Sequence, residues 1–171
     1  MPAGDYRLSA ESLRRIDRET AKYPPEQRQS AVLAALAIVQ DQFGWLPLPA
    51  QEEVAGVLQM APVAVYEVAT FYHMFQLSPG GRHKVTVCTN LPCALSGGNA
   101  AARQLQQKLG IKFGQTSADG AVTLAEGECM GACGDAPVLL VDNKTMCSFM
   151  DEGKIDALLA TLGAAVARPD R

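Results

Sequence analysis

At 171 residues, 48% hydrophobic and 19% charged, the chain is long enough to bury a core without cysteine staples, as one domain or two small ones. Its formal net charge of −3 removes the electrostatic reason to expect nucleic acid or an anionic membrane as partner, which leaves proteins and small molecules. The longest apolar run, Ala31 to Val39, is too short to cross a bilayer, and no apolar stretch follows the first charges, so the expected compartment is the cytoplasm.

The first half reads as helix throughout. LSAESLRRIDRETAKY (8–23) opens on Ser9 as N-cap, with Glu11 and Ser12 in the first turn, and Pro24-Pro25 stops it. A second helix is expected from Glu26 to Phe43, where Val32, Leu33, Leu36, Val39 and Phe43 recur near a 3.6 period and Gly44 occupies the C′ position. A third runs from Pro49 to Met60. Pro62 opens a fourth, along which Val65, Val68, Ala69, Tyr72 and Phe75 recur at steps of three and four. Trp45 reads as a core anchor. Core packing accounts for most of the aromatic group Tyr66, Phe71, Tyr72 and Phe75 around His73, and any exposed remainder reads as a protein interface.

Composition changes at SPGGRH, so a linker is placed at 78–83 between a helical domain (1–77) and a second domain (84–171). There KVTVCT (84–89) reads as a strand, NAAARQLQQKLG (99–110) as a helix, and AVTLAE (121–126), PVLLVDN (137–143) and TMCSFM (145–150) as strands. A last helix is expected from Asp151 to Leu162. The β-α-β-β-β-α order gives an α+β protein whose second domain is compatible with a thioredoxin-like layout.

Five cysteines in a reducing compartment point to metal ligation with one thiol left over rather than to disulfides. Cys88 and Cys93 form C-x-x-x-x-C, and Cys129 and Cys133 form C-x-x-x-C, each pair on a short turn bearing Gly or Pro. A [2Fe–2S] core takes two thiolates on each iron, so two local pairs suit it, with Cys88 and Cys93 on one iron and Cys129 and Cys133 on the other. Gly131, Ala132 and Gly134 let backbone N–H groups approach the sulfurs, and Gly97 with Gly98 can aim a helix start at the cluster. Structural zinc is the main competitor, although its usual arm is C-x-x-C. A redox disulfide also wants C-x-x-C, and a Rieske centre needs two histidines, whereas His73 lies among aromatics and His83 in the linker. Cys147 reads as a small buried residue, and Glu128 as an exposed carboxylate. No Gly-rich phosphate loop, Ser/His/Asp set or catalytic Cys/His pair is present, so no stand-alone catalytic site is expected.

SAVLAALAIVQDQFGWLP (30–47), VYEVATFYHMF (65–75), CTNLPC (88–93) and GECMGACGDAPVLLVDN (127–143) together resemble the 24 kDa subunit of respiratory complex I, the bacterial NuoE family. The resemblance covers about residues 10 to 160 and implies a helical N-terminal bundle followed by a thioredoxin-like [2Fe–2S] ferredoxin domain, with Cys88, Cys93, Cys129 and Cys133 as cluster ligands. It implies packing against the flavin-bearing subunit, which binds NADH and FMN, and assembly with other peripheral-arm subunits on the cytoplasmic side of the inner membrane. Related subunits occur in NAD-reducing hydrogenases and NAD-dependent formate dehydrogenases, and the four cysteines do not separate these. The contrasting class is a zinc-stabilised adaptor.

Overall fold

The computed structural model describes residues 6–166. Residues 1–5 and 167–171, the outer ends of the two expected domains and part of the opening stretch read for a leader, lie outside the described residues. The chain parts into two compact units between Pro79 and Gly80, and each has its own hydrophobic core.

The first unit is helical: α1 (Ala10–Thr20), a 3-10 segment (Pro25–Ala31), α2 (Val32–Phe43), α3 (Leu48–Leu58) and α4 (Pro62–Phe71). Ser9 caps α1 as expected, its Oγ accepting from the Ser12 N–H at 3.1 Å. The expected second helix is shorter than its apolar pattern, because Gln27 leaves helical geometry (φ −115°, ψ 18°) and the α-helix starts only at Val32. Ile16, Leu36, Val39, Val54, Leu58 and Val65 are fully buried together. No single helix among the described residues is long and apolar enough to cross a membrane. The bent pair α3 and α4 passes on composition alone, and its apolar residues Val54, Leu58 and Val65 are spent on this core.

The fourth helix ends four residues before the periodicity does. Tyr72 is extended (φ −94°, ψ 118°). The reason is a competing set of hydrogen bonds from α2: the Gln40 side chain donates to the Met74 carbonyl (2.9 Å) and accepts from the Gln76 N–H (2.7 Å). Phe75 is thereby buried by a turn, not a helix face, while Val63, Tyr66, Phe71 and Tyr72 remain exposed, Phe71 at 74%. Trp45 is not the deep anchor expected of it. It is half-buried, edge-on to Tyr6 at 5.5 Å, and lines a largely apolar cavity of about 550 Å³ with Leu48, Tyr66 and Leu77.

The second unit is a four-stranded sheet in the order β2-β1-β3-β4, formed by β1 (His83–Cys88), β2 (Val122–Gly127), β3 (Leu139–Val141) and β4 (Thr145–Cys147). β1 and β2 are parallel, and β3 is antiparallel to both β1 and β4. A parallel neighbour needs a crossover, supplied here by α5 (Leu91–Leu95) and α6 (Gly98–Leu109). Leu105 of α6 and Ile155 and Leu159 of α7 (Glu152–Thr161) bury against Val85, Leu124 and Leu139 of the sheet. Residues 81–83, read as linker, already belong to this unit: Gly81 donates to Thr123 Oγ1 (2.7 Å), and the Arg82 and His83 N–H groups bond the carbonyls of Gly120 and Ala121.

The loop before β2 is tied to the end of the chain by Asp119. Its carboxylate accepts from Ser117 Oγ (2.5 Å), Ala121 N (3.0 Å) and Ala165 N (2.6 Å). The Ser117 hydroxyl first, then the Ala165 and Ala121 amides, pull its pKa down to about 2. A folded pKa below the unfolded one gives stabilisation that is full above the unfolded value and disappears as pH falls through the folded value. Asp119→Asn is therefore expected to melt below the parent at neutral pH, with the difference closing between about pH 4 and pH 2 in a series of thermal melts.

Candidate metal centre

Parallel pairing brings the two cysteine arms together. Cys88 is the last residue of β1 and lies opposite Gly127, the last of β2, so both strands finish at one end of the sheet. β1 delivers Cys88 there and runs on into the first arm, while β2 runs on into the loop carrying Cys129 and Cys133. The Cys88 N–H donates to the Val138 carbonyl at 3.2 Å, and Thr89 Oγ1 donates to Glu126 at 2.7 Å across the strand ends. On the far side of the second arm, Phe149 N–H donates to the Asp135 carbonyl (2.8 Å) and Met150 N–H to that of Pro137 (3.0 Å).

The first arm is not the simple turn that its proline suggested. Asn90 Oδ1 accepts from the Leu91 N–H (3.0 Å) and opens the five-residue helix α5, on which Cys93 sits. The signal was in the sequence: Asn followed one residue later by Leu-Pro is an N-cap with proline in the first turn. Cys88 and Cys93 are both 2% exposed, packed with Val138 and covered by Met130, Ala132 and Ala136. Met130 and Ala132 come from the second arm, so the two arms share one apolar knot. Cys129 and Cys133 lie on its exposed side.

Electrostatics also join the four sulfurs. Burial pushes the Cys93 thiol up, and so do its hydrogen bond with Cys88 and the charges of Cys88 and Cys133. Desolvation raises Cys133 too, followed by the charge of Cys129, a hydrogen bond with it, and the charge of Cys88. Thiols that oppose each other's ionisation fit a cationic centre that binds thiolates and offsets their mutual repulsion. The Gly131 N–H donates to Cys129 Sγ at 3.4 Å, the kind of contact that tunes a sulfur ligand. Among the described residues no group of three or more His, Cys, Asp or Glu side chains is arranged to hold a metal ion. Two pairs that each serve their own iron, bridged by inorganic sulfide, fit the arms better than convergence on one zinc ion.

The remaining candidates separate from this site. Cys147 lies in β4 opposite Leu139, partly buried against the sheet core, with its thiol raised by that burial. Glu128 is exposed. Gly98 meets the first arm at its carbonyls: a Cβ there would lie 2.8 Å from Cys93 O and 2.9 Å from Cys88 O. Sequence reasoning noticed this glycine only as part of a helix start.

A thioredoxin-like sheet with four free thiols gathered at one strand end defines an iron–sulfur protein of the ferredoxin class. The family model for thioredoxin-like [2Fe–2S] ferredoxins matches residues 16–163. A NuoE chain of the NADH-quinone oxidoreductase of Rhizobium meliloti (strain 1021) is 43% identical over 150 residues, covering 88% of each chain. The NuoE chain of the same enzyme from Rickettsia bellii (strain RML369-C) is 46% identical over 123 residues, 71% of this chain and 74% of that one. The chain belongs to this NuoE family of thioredoxin-like ferredoxins, and its cofactor is one [2Fe–2S] cluster. Its fold is also similar to that of an NAD+-reducing [NiFe]-hydrogenase in the air-oxidized state, with a TM-score of 0.67 and 26% identity over 77% of this chain. The chain spans only 22% of that hydrogenase chain.

Proposed function

We propose that Cys88 and Cys93 hold one iron of the cluster and Cys129 and Cys133 the other, and that the chain is the electron-transfer subunit of the NADH dehydrogenase module of a bacterial NADH:quinone oxidoreductase. The observation that carries the reading is the shared knot, in which Met130 and Ala132 of the second arm cover both cysteines of the first. A bound [2Fe–2S] cluster supplies a one-electron couple. The chain's own residues shape its surroundings: Val138, Met130 and Ala132 exclude water on the Cys88 and Cys93 side, while the exposed second arm leaves the opposite side open to a redox partner. That partner is the subunit holding FMN and NADH, with which one electron is exchanged. Other peripheral-arm subunits complete the assembly on the cytoplasmic side of the inner membrane. The two compact units are proposed as separate domains, helical to Leu77 and ferredoxin-like from Lys84, joined through 78–83. Purified protein should contain about two irons and two sulfides per chain and give, after dithionite, an EPR signal from one unpaired electron. Stoichiometric zinc without visible absorbance would overturn the reading.

The likeness to the NAD+-reducing hydrogenase favours one second reading, the equivalent role in such an enzyme. The identity of co-purifying subunits decides between them. A partner interface is proposed on the exposed side of α4. Phe71→Glu should weaken co-purification of the flavin subunit by about tenfold or more while leaving visible absorbance unchanged, since an exposed aromatic anchor is worth about 1.4 kcal/mol or more at an interface core.

A further inference from the structure

Gly98 opens α6 closer to the first cysteine arm than any side chain allows. A Cβ at this position would lie 2.8 Å from the carbonyl oxygen of Cys93 and 2.9 Å from both the Cys93 carbonyl carbon and the Cys88 carbonyl oxygen. All three are backbone atoms, so no rotamer change relieves the contact. Cys88 and Cys93 belong to different elements, held by different bonds. The register of β1 and the Val138 carbonyl fix Cys88. α5 fixes Cys93, whose carbonyl accepts from the Ser96 N–H at 3.1 Å. Gly98 touches both.

We propose that Gly98 is a positioning residue: by seating the first turn of α6 against the carbonyls of Cys88 and Cys93, it sets the separation of these two thiols and hence the geometry of the iron they share. This rests on the ligand assignment above. Its neighbours provide the contrast. Gly97 has φ +98° but ordinary space, with Pro137 Cγ 3.6 Å from a Cβ, so a side chain there strains the turn without pressing on the cysteines. Gly134, next to Cys133, has nothing within 4 Å of a Cβ.

The test compares Gly98→Ala, Gly97→Ala and Gly134→Ala in the full chain. Gly98→Ala is expected to shift the g-values and visible circular dichroism of the reduced cluster and to release iron to a chelator about tenfold faster, the scale of lost outer-shell support. Gly97→Ala should lower the melting temperature with parental spectra, and Gly134→Ala should match the parent in both. Parental g-values, dichroism and release rate in Gly98→Ala would overturn the proposal, as would the same spectral shift in Gly97→Ala. If Gly98→Ala takes up no cluster, the cluster-free chains decide. A variant as folded and as heat-stable as the cluster-free parent supports positioning, whereas one that is unfolded or melts lower makes Gly98 a fold residue and ends the proposal. Failure of the ligand assignment shows separately, as parental spectra in Cys93→Ser and Cys129→Ser.

Discussion

Cys93→Ser is expected to lower bound iron and sulfide at least tenfold from about two of each per chain, with loss of the visible bands, because removing a first ligand exceeds the 10- to 100-fold cost of removing a ligand's support. The position makes replacement hard to repair. Cys93 is 2% exposed, wedged between Cys88 and Val138 and covered by the other arm, so neither water nor a mobile side chain has room to substitute. A serine hydroxyl is shorter than a thiol and stays protonated at neutral pH, so it offers iron no anion. Cys129 differs because it lies on the exposed side. Solvent oxygen reaches that iron in Cys129→Ser, and the expected result is a cluster with altered absorbance and g-values rather than none. Cys147→Ser should load fully, since that residue packs against the sheet core opposite Leu139. Iron and sulfide analysis with EPR reads all three. Full parental spectra in Cys93→Ser would remove it from the ligand set, and a variant that loses zinc and fold together would move the site to the adaptor class.

The site was legible because both of its determinants are local in sequence. Each cysteine pair lies within a few residues, and the β-branched run ending at Cys88 showed that one arm would leave a strand end. The parallel pairing of β1 with β2, which makes the arms meet, is a long-range property that spacing does not contain; the strand order requires it, and the family resemblance implied it. The same division explains the misses. Periodicity from Val65 to Phe75 describes which residues are apolar, and it continued past the helix because Phe75 is buried by a turn that Gln40 holds from α2. The 3-10 start of the second helix is likewise invisible in the apolar pattern, since Gln27 departs from helical geometry without changing it. α5 was missed because five residues carry too little periodicity, although Asn90 and Pro92 were its markers. Gly98 shows the limit most plainly: a glycine before a helix is common, and only coordinates reveal that two cysteine carbonyls occupy the space where its side chain would be.

Leu36→Ala and Leu139→Ala are expected to cost about 2–5 kcal/mol each, the range for emptying a well-packed leucine site, and yet to differ in what they release. Both residues are fully buried. Leu36 lies among Ile16, Val39, Val54 and Leu58 in the helical core, whereas Leu139 lies in β3, opposite Val87 and beside Val138, which packs directly on Cys88 and Cys93. A cavity at Leu139 loosens the sheet at the residue that supports the first arm, so visible absorbance should disappear on heating at least about 10 °C below the parent, given roughly 4–8 °C per kcal/mol for a unit of this size. A cavity at Leu36 has no such route to the cysteines, because its core contains none of the residues that cover them. In Leu36→Ala part of the far-ultraviolet helical signal should melt early while the cluster bleaches at the parental temperature. A single coincident transition in both variants would show that the two units unfold as one cooperative body, and the proposed division into separate domains would fail with it.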